Sequence, residues 1–219
     1  METVYQFREN EKAKKAADTV YHLKKEQESE TETDRQPVYQ YPVTIHLNAR
    51  FQPRHRFELE DVLRDILEQK KLGTVDGGGT LQSVTGEIMS CDIDVMLRDT
   101  KQDTMSALCG ILNRFGIPKG SQLIFAENRI EIGLQEGLAI YLNGTDLPKE
   151  VYRTCDINYV IDRMDQLLAD TGRMYSYWEA QKETALYYYG DNCEKMLARI
   201  KPFLETYPLL AKCTVTRIA

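Results

Sequence analysis

Ile45-His46-Leu47-Asn48, followed by Pro53, is echoed by Ile140-Tyr141-Leu142-Asn143, followed by Pro148. In each quartet the two aliphatic residues fall on alternate positions, the period of a strand with one buried face. Each quartet opens the same predicted order: strand, helix, two strands, helix, strand. The two copies run over 41–127 and 136–219. Their register agrees at the first strands and drifts later, with a longer loop after Pro148. What is duplicated is the architecture more than the sequence.

The alternation extends well beyond the first quartet. Val43, Ile45, Leu47, Ala49 and Phe51 interleave with Thr44, His46, Asn48 and Arg50. Apolar residues at 59, 62, 63, 66 and 67 then form a helical stripe over Phe57–Lys71, with Gly73 as its stop. Asp76-Gly77-Gly78-Gly79 reads as a turn into the second strand. The third strand puts Met89, Cys91, Ile93, Val95 and Leu97 on one face, and Ser90, Asp92, Asp94, Met96 and Arg98 on the other. Asp103 is the expected cap of a second helix ending near Phe115, and Gln122–Ala126 is the closing strand.

In the second copy, Leu138–Asn143 is a strand and Asn158–Thr171 a helix. Met174–Trp178 and Thr184–Tyr189 form a hairpin. Asp191 or Asn192 caps a helix ending near Tyr207, and Lys212–Ile218 closes the sheet. Pro202 lies inside that helix and predicts a kink or early break. This order is an α+β fold, two tandem ferredoxin-like (βαββαβ) repeats, with right-handed crossovers placing both helices of a repeat on one face. Residues 1–40 stand apart: an Ala/Lys/Glu-rich helix over 9–25 with a thin apolar stripe, then an acidic linker from Glu26 to Asp34.

Composition narrows the functional classes. Hydrophobic residues make up 42% of the 219, enough for a real core, and the net charge is −6. An acidic surface with no basic patch disfavours nucleic acid. No segment approaches a membrane span, and the N-terminus has no apolar leader. Five cysteines without Cys-x-x-Cys spacing suit buried thiols in a reducing compartment, so a cytoplasmic location is expected.

Two clusters carry candidate chemistry. Strand parity places His46 and Arg50 on the sheet face that also carries Asp92 and Asp94. His46 with Asp92 or Asp94 is an acid–base candidate, Arg50 an anion clamp, and the His with two Asp a conceivable divalent-metal set. An open face with Asp and Arg simply paired is the bland alternative. In the second repeat Tyr141, Tyr175, Tyr177, Tyr187, Tyr189 and Trp178 crowd three strands. Tyr141, Tyr187 and Tyr189 are binding candidates, and the alternative is that the rings seal one repeat against the other. The Asp76–Thr80 and Lys119–Ser121 segments lack the ending and the following helix of a phosphate cradle.

No catalytic motif, metal site or cofactor site is legible. The expected function is therefore a non-catalytic protein-binding module, with a basic protein as the partner that its charge would steer, and with self-association as a further expectation. The alternative is a small-molecule- or metal-binding enzyme using the polar face of the first repeat. In size, acidity and fold the chain resembles a class of uncharacterised bacterial cytoplasmic proteins with tandem ferredoxin-like repeats, some of immunity type. That resemblance implies an inhibitor of a toxin and assigns no functional residue.

Overall fold

The structure is a computed structural model that describes residues 38–219. The predicted helix over 9–25 and the acidic linker lie outside the described residues. In the first repeat β1 (Tyr41–Leu47) leads to α1 (Pro53–Gln69), β2 (Gly73–Gln82), β3 (Ile88–Leu97), α2 (Gln102–Arg114), β4 (Ser121–Phe125) and β5 (Asn128–Ile132). In the second, β6 (Glu136–Asn143) leads to α3 (Lys149–Thr154), α4 (Ile157–Leu168), β7 (Gly172–Glu179), β8 (Glu183–Gly190), α5 (Cys193–Thr206), a 3-10 turn at Pro208–Leu210 and β9 (Thr214–Arg217). The two antiparallel sheets run β2-β3-β1-β4-β5 and β7-β8-β6-β9. Each is the ferredoxin-like order, with the first and third strands as central neighbours.

Alternation sorts the cores. Val43, Ile45, Leu47, Ile93, Val95 and Leu97 pack under Leu63, Leu67, Leu108 and Leu112 of α1 and α2. Leu138, Ile140, Leu142, Leu186 and Tyr188 pack under Val160, Met164, Met196 and Ile200 of α4 and α5. The remaining positions of β6 and β8, namely Ala139, Tyr141, Ala185, Tyr187 and Tyr189, form a third cluster with Trp178 on the opposite face. That face is not left to water. The first repeat covers it.

Several local expectations are corrected. The triple glycine is not a turn but the middle of β2, with the extra residue Asp76 bulged out between Val75 and Gly77. Gly78 is needed there because a β-carbon would sit 2.3 Å from Asp92 O and 2.4 Å from Arg56 Nη1. Gly73 does not stop α1: Lys71 does, in the left-handed region at φ 51°, and Gly73 instead lets β2 approach Met96 O. Met89 is not in the core. It is the extra residue of a second bulge, where Leu81 pairs with Ser90 and Gln82 with Ile88, so parity flips and Ile88 takes the buried place.

Lys101, not Asp103, occupies the N-cap of α2, and Asp103 sits in the first turn, where its charge suits the helix dipole. α5 continues through Pro202 to Thr206, held by Met196 and Ile200 before the proline and by Phe203 and Leu204 after it. β5 is an addition to the plait, reached through a two-residue turn with Ala126 at φ 48°. Alanine is not a turn signal, so the hairpin is hidden in the sequence. Asn192 caps α5, its side chain accepting from Lys195 N at 2.9 Å. No cysteine is disulfide-bonded. No helix among the described residues is long and apolar enough to cross a membrane.

Candidate functional site

β1 and β3 pair with Thr44 opposite Asp94 and His46 opposite Asp92. His46 Nδ1 lies 2.7 Å from Asp92 Oδ1, and Thr44 Oγ1 donates to Asp94 Oδ1 at 2.7 Å. His46 and Asp92 are therefore brought together, whereas Asp94 is matched to Thr44. The pair is solvated, with 34% of the His46 side chain and 48% of the Asp92 side chain exposed. Among the described residues no group of three or more His, Cys, Asp or Glu could hold a metal ion. Arg50 does not join this set. It lies past the end of β1, and its guanidinium donates to Ile88 O at 2.8 Å and sits 4.0 Å from Glu87.

The Arg50 segment is the joint between the repeats. Its backbone N–H donates to Tyr189 Oη at 2.9 Å, and its carbonyl accepts from Ser176 Oγ. Gln52 Nε2 donates to Tyr177 O at 2.6 Å. The Phe51 ring meets Tyr175 and Tyr189 edge-on, at 5.7 Å and 6.5 Å between centroids. Tyr175 reaches this seam because it is the extra residue of a bulge in β7, between Met174 and Ser176. Tyr141 and Tyr187 both donate to the same Glu87 oxygen, at 2.7 Å and 2.8 Å. Burial first, and then the Glu87 carboxylate, push the Tyr141 phenol up to about 12 and raise that of Tyr187 further. Both remain protonated donors at neutral pH. Tyr187 and Tyr189 are 1% and 0% exposed, so these rings lie inside the chain.

Beside the joint lies an open cleft of about 660 Å³. Gln52, Pro53 and Arg54 at the head of α1 form one wall; Tyr177, Trp178 and Glu179 at the end of β7 form the second; Thr85 and Gly86 of the β2–β3 turn form the third. Trp178 is 7% exposed: its ring packs with Ala185, Tyr187 and Tyr189, and only its margin borders the cleft. The Arg54 guanidinium sits 5.9 Å from the centre of the Tyr177 ring. Arg54 Nε donates to His55 Nε2 at 3.1 Å. Burial, aided by the Arg54 charge, lowers His55 to about 4, so the imidazole is neutral and Arg54 is the cation here. α1 adds to that charge, because its first turn has no acid and no side chain caps it. Glu179 supplies one carboxylate at the rim.

None of the cleft residues belongs to the His46–Asp92 face. The sequence points to Tyr177 and Trp178 but not to Gln52, Arg54, Thr85, Gly86 or Glu179. One signal was available for the first wall: Pro53-Arg54-His55-Arg56 opens a helix with basic residues where acids usually stand. Nothing marked Thr85 and Gly86, whose place depends on how the repeats dock.

No family model matches the chain, and no curated protein matches it. Several solved structures have a distant likeness to it, among them these two. An unknown protein from Galdieria sulphuraria is 11% identical, covering 82% of this chain and 96% of its own, with a TM-score of 0.27. The regulatory subunit of aspartate kinase from Thermus thermophilus, in a ligand-free form, is 16% identical, covering 74% of this chain and 90% of its own, with a TM-score of 0.24. At these TM-scores neither likeness bears on what this chain does.

Proposed function

We propose that the chain is a small-molecule-binding module whose site is the cleft between the two repeats, and that its ligand is an anion carrying a flat ring. One observation carries this reading: the Arg54 cation, the Tyr177 ring beneath it and the margin of Trp178 border the same cleft. A carboxylate or phosphate would take charge-assisted hydrogen bonds from Arg54, and the ring would lie at the aromatic margin that Tyr177 and Trp178 give the cleft. The tyrosines that suggested an exposed protein interface are used inside the chain, so the protein-partner reading loses its aromatic surface. The polar face of the first repeat remains available to solvent but offers no metal set.

The chain has one tryptophan, and it lies on the cleft wall. Intrinsic fluorescence therefore reads the site directly. Benzoate, indole-3-acetate, acetate and inorganic phosphate should be titrated against the protein. Saturable change is expected with the ring-bearing acids, and Arg54→Ala should weaken binding roughly 10- to 100-fold, the value of a charge-assisted hydrogen bond. No saturable change with any of the four, into the millimolar range, would sink the reading.

A further inference from the structure

The third wall of the cleft and the fastening of the two repeats belong to one five-residue turn. Ser83 organises it. Ser83 N donates to Glu87 O at 2.8 Å, Gly86 N to Ser83 O at 3.0 Å, and Glu87 N to Ser83 Oγ at 3.1 Å. Thr85 Oγ1 lies 2.8 Å from Ser83 Oγ. Gly86, at φ 82°, permits the left-handed step that closes the turn. Thr85 and Gly86 are thus tied through Ser83 to Glu87. Glu87 in turn is the common acceptor of Tyr141 from β6 and Tyr187 from β8, and lies near the Arg50 guanidinium.

From this chain of contacts we infer that the Ser83–Glu87 turn is a clasp coupling occupancy of the cleft to the joint between the repeats. The inference rests on the ligand-site reading above and adds its regulation. A ligand wedged against Thr85 and Gly86 bears on a turn whose other end grips two strands of the second repeat. The opposite walls are tied to the same joint, since Gln52 holds Tyr177 O and the Arg50 carbonyl accepts from Ser176, two residues before Trp178. Binding favours whichever arrangement of the joint gives the cleft its best fit, and linkage makes the effect reciprocal. Loosening the clasp at Glu87 should then weaken the ligand, although neither Glu87 nor Tyr141 lines the cleft.

The test uses the full chain, with benzoate as the probe. Tyr141→Phe removes one phenol from Glu87 and lies outside the cleft lining. It should weaken benzoate about five- to twentyfold, within the usual span of coupling between sites. Benzoate should slow amide exchange at Glu87 and at Arg50. A Tyr141→Phe protein that binds benzoate within twofold of the parent would overturn the clasp. The ligand-free protein gives an independent arm. Glu87→Ala should increase acrylamide quenching of Trp178 and speed exchange across 83–87. Unchanged quenching and exchange would also overturn it. If the parent binds no benzoate, the ligand-site reading fails alone, and the ligand-free arm still decides the clasp.

Discussion

Gly78→Ala should destabilise the protein far more than Gly79→Ala, one residue along the same strand. At Gly78 an added β-carbon would lie 2.3 Å from Asp92 O, 2.4 Å from Arg56 Nη1 and 2.8 Å from Glu60 Oε1. Ordinary contact begins near 3.4 Å, so something must move by about 1 Å. The Asp92 carbonyl is backbone of the central strand β3. Arg56 and Glu60 are each 6% exposed and paired to one another, so neither can swing into solvent. Overpacking of this kind costs roughly 1–3 kcal/mol, and disturbing a buried ion pair adds to it, up to about 3–5 kcal/mol if the pair breaks. A loss of about 3 kcal/mol is expected, a fall in Tm of roughly 6–12 °C for a chain of this size. At Gly79 nothing lies within 4 Å of the added carbon. That change should be neutral, or stabilising by up to about 1 kcal/mol, because alanine restricts the unfolded chain. Urea unfolding followed by circular dichroism gives both midpoints on one scale. If Gly78→Ala lies within about 0.5 kcal/mol of the parent, the close-approach account of this glycine is wrong.

Glu136 gives a pH prediction. The Cys193 amide first, then Lys119, with Arg217 nearby, hold its carboxyl down to about 2, against 4.5 for an ordinary glutamate. Its stabilising contribution is complete above pH 4.5 and disappears as pH falls towards 2. Glu136→Gln should therefore be less stable than the parent at pH 7, with the two stability curves converging between those limits; parallel curves would refute it. Asn192→Ala removes the cap that accepts from Lys195 N and should cost about 1 kcal/mol in urea unfolding, with no effect on probe binding. His46→Ala should change stability by no more than about 1 kcal/mol, since its pairing with Asp92 is solvated, and should leave benzoate binding unaltered; a large loss of binding would return attention to the sheet face.

The fold was legible because each central strand announces its own parity. Ile45, Leu47, Ile93 and Val95 needed no tertiary information to be assigned to one face, and the His46–Asp92 pairing follows from that parity once the two strands are neighbours. The errors cluster where parity is broken. The bulges at Asp76 and Met89, and that at Tyr175, each insert one residue, and no residue type marks them. The triple glycine reads as a turn because glycine at a turn and glycine at a crowded strand position look alike in sequence. Gly78 is fixed by Arg56 and Glu60, which lie in another element. The cleft was harder still, because its walls come from three segments that meet only when the repeats dock.

That docking explains why two copies of one plait are used differently. The face away from the helices carries Thr44, His46, Asp92 and Asp94 in the first sheet, and these stay wet. The same face of the second sheet carries Ala139, Tyr141, Ala185, Tyr187 and Tyr189. Small residues beside long phenols leave room for the Phe51 loop to enter, while the hydroxyls find Glu87 and the Arg50 backbone at its edge. Burying these rings supplies the apolar drive, and the buried hydroxyls require fixed acceptors and donors, which sets one docking geometry over others. A joint specified by polar atoms at its rim has a groove there, where the two surfaces diverge. Arg54, Tyr177 and Trp178 occupy that groove. The second repeat's open face is thus closed by the first, and the candidate site is the margin of that closure.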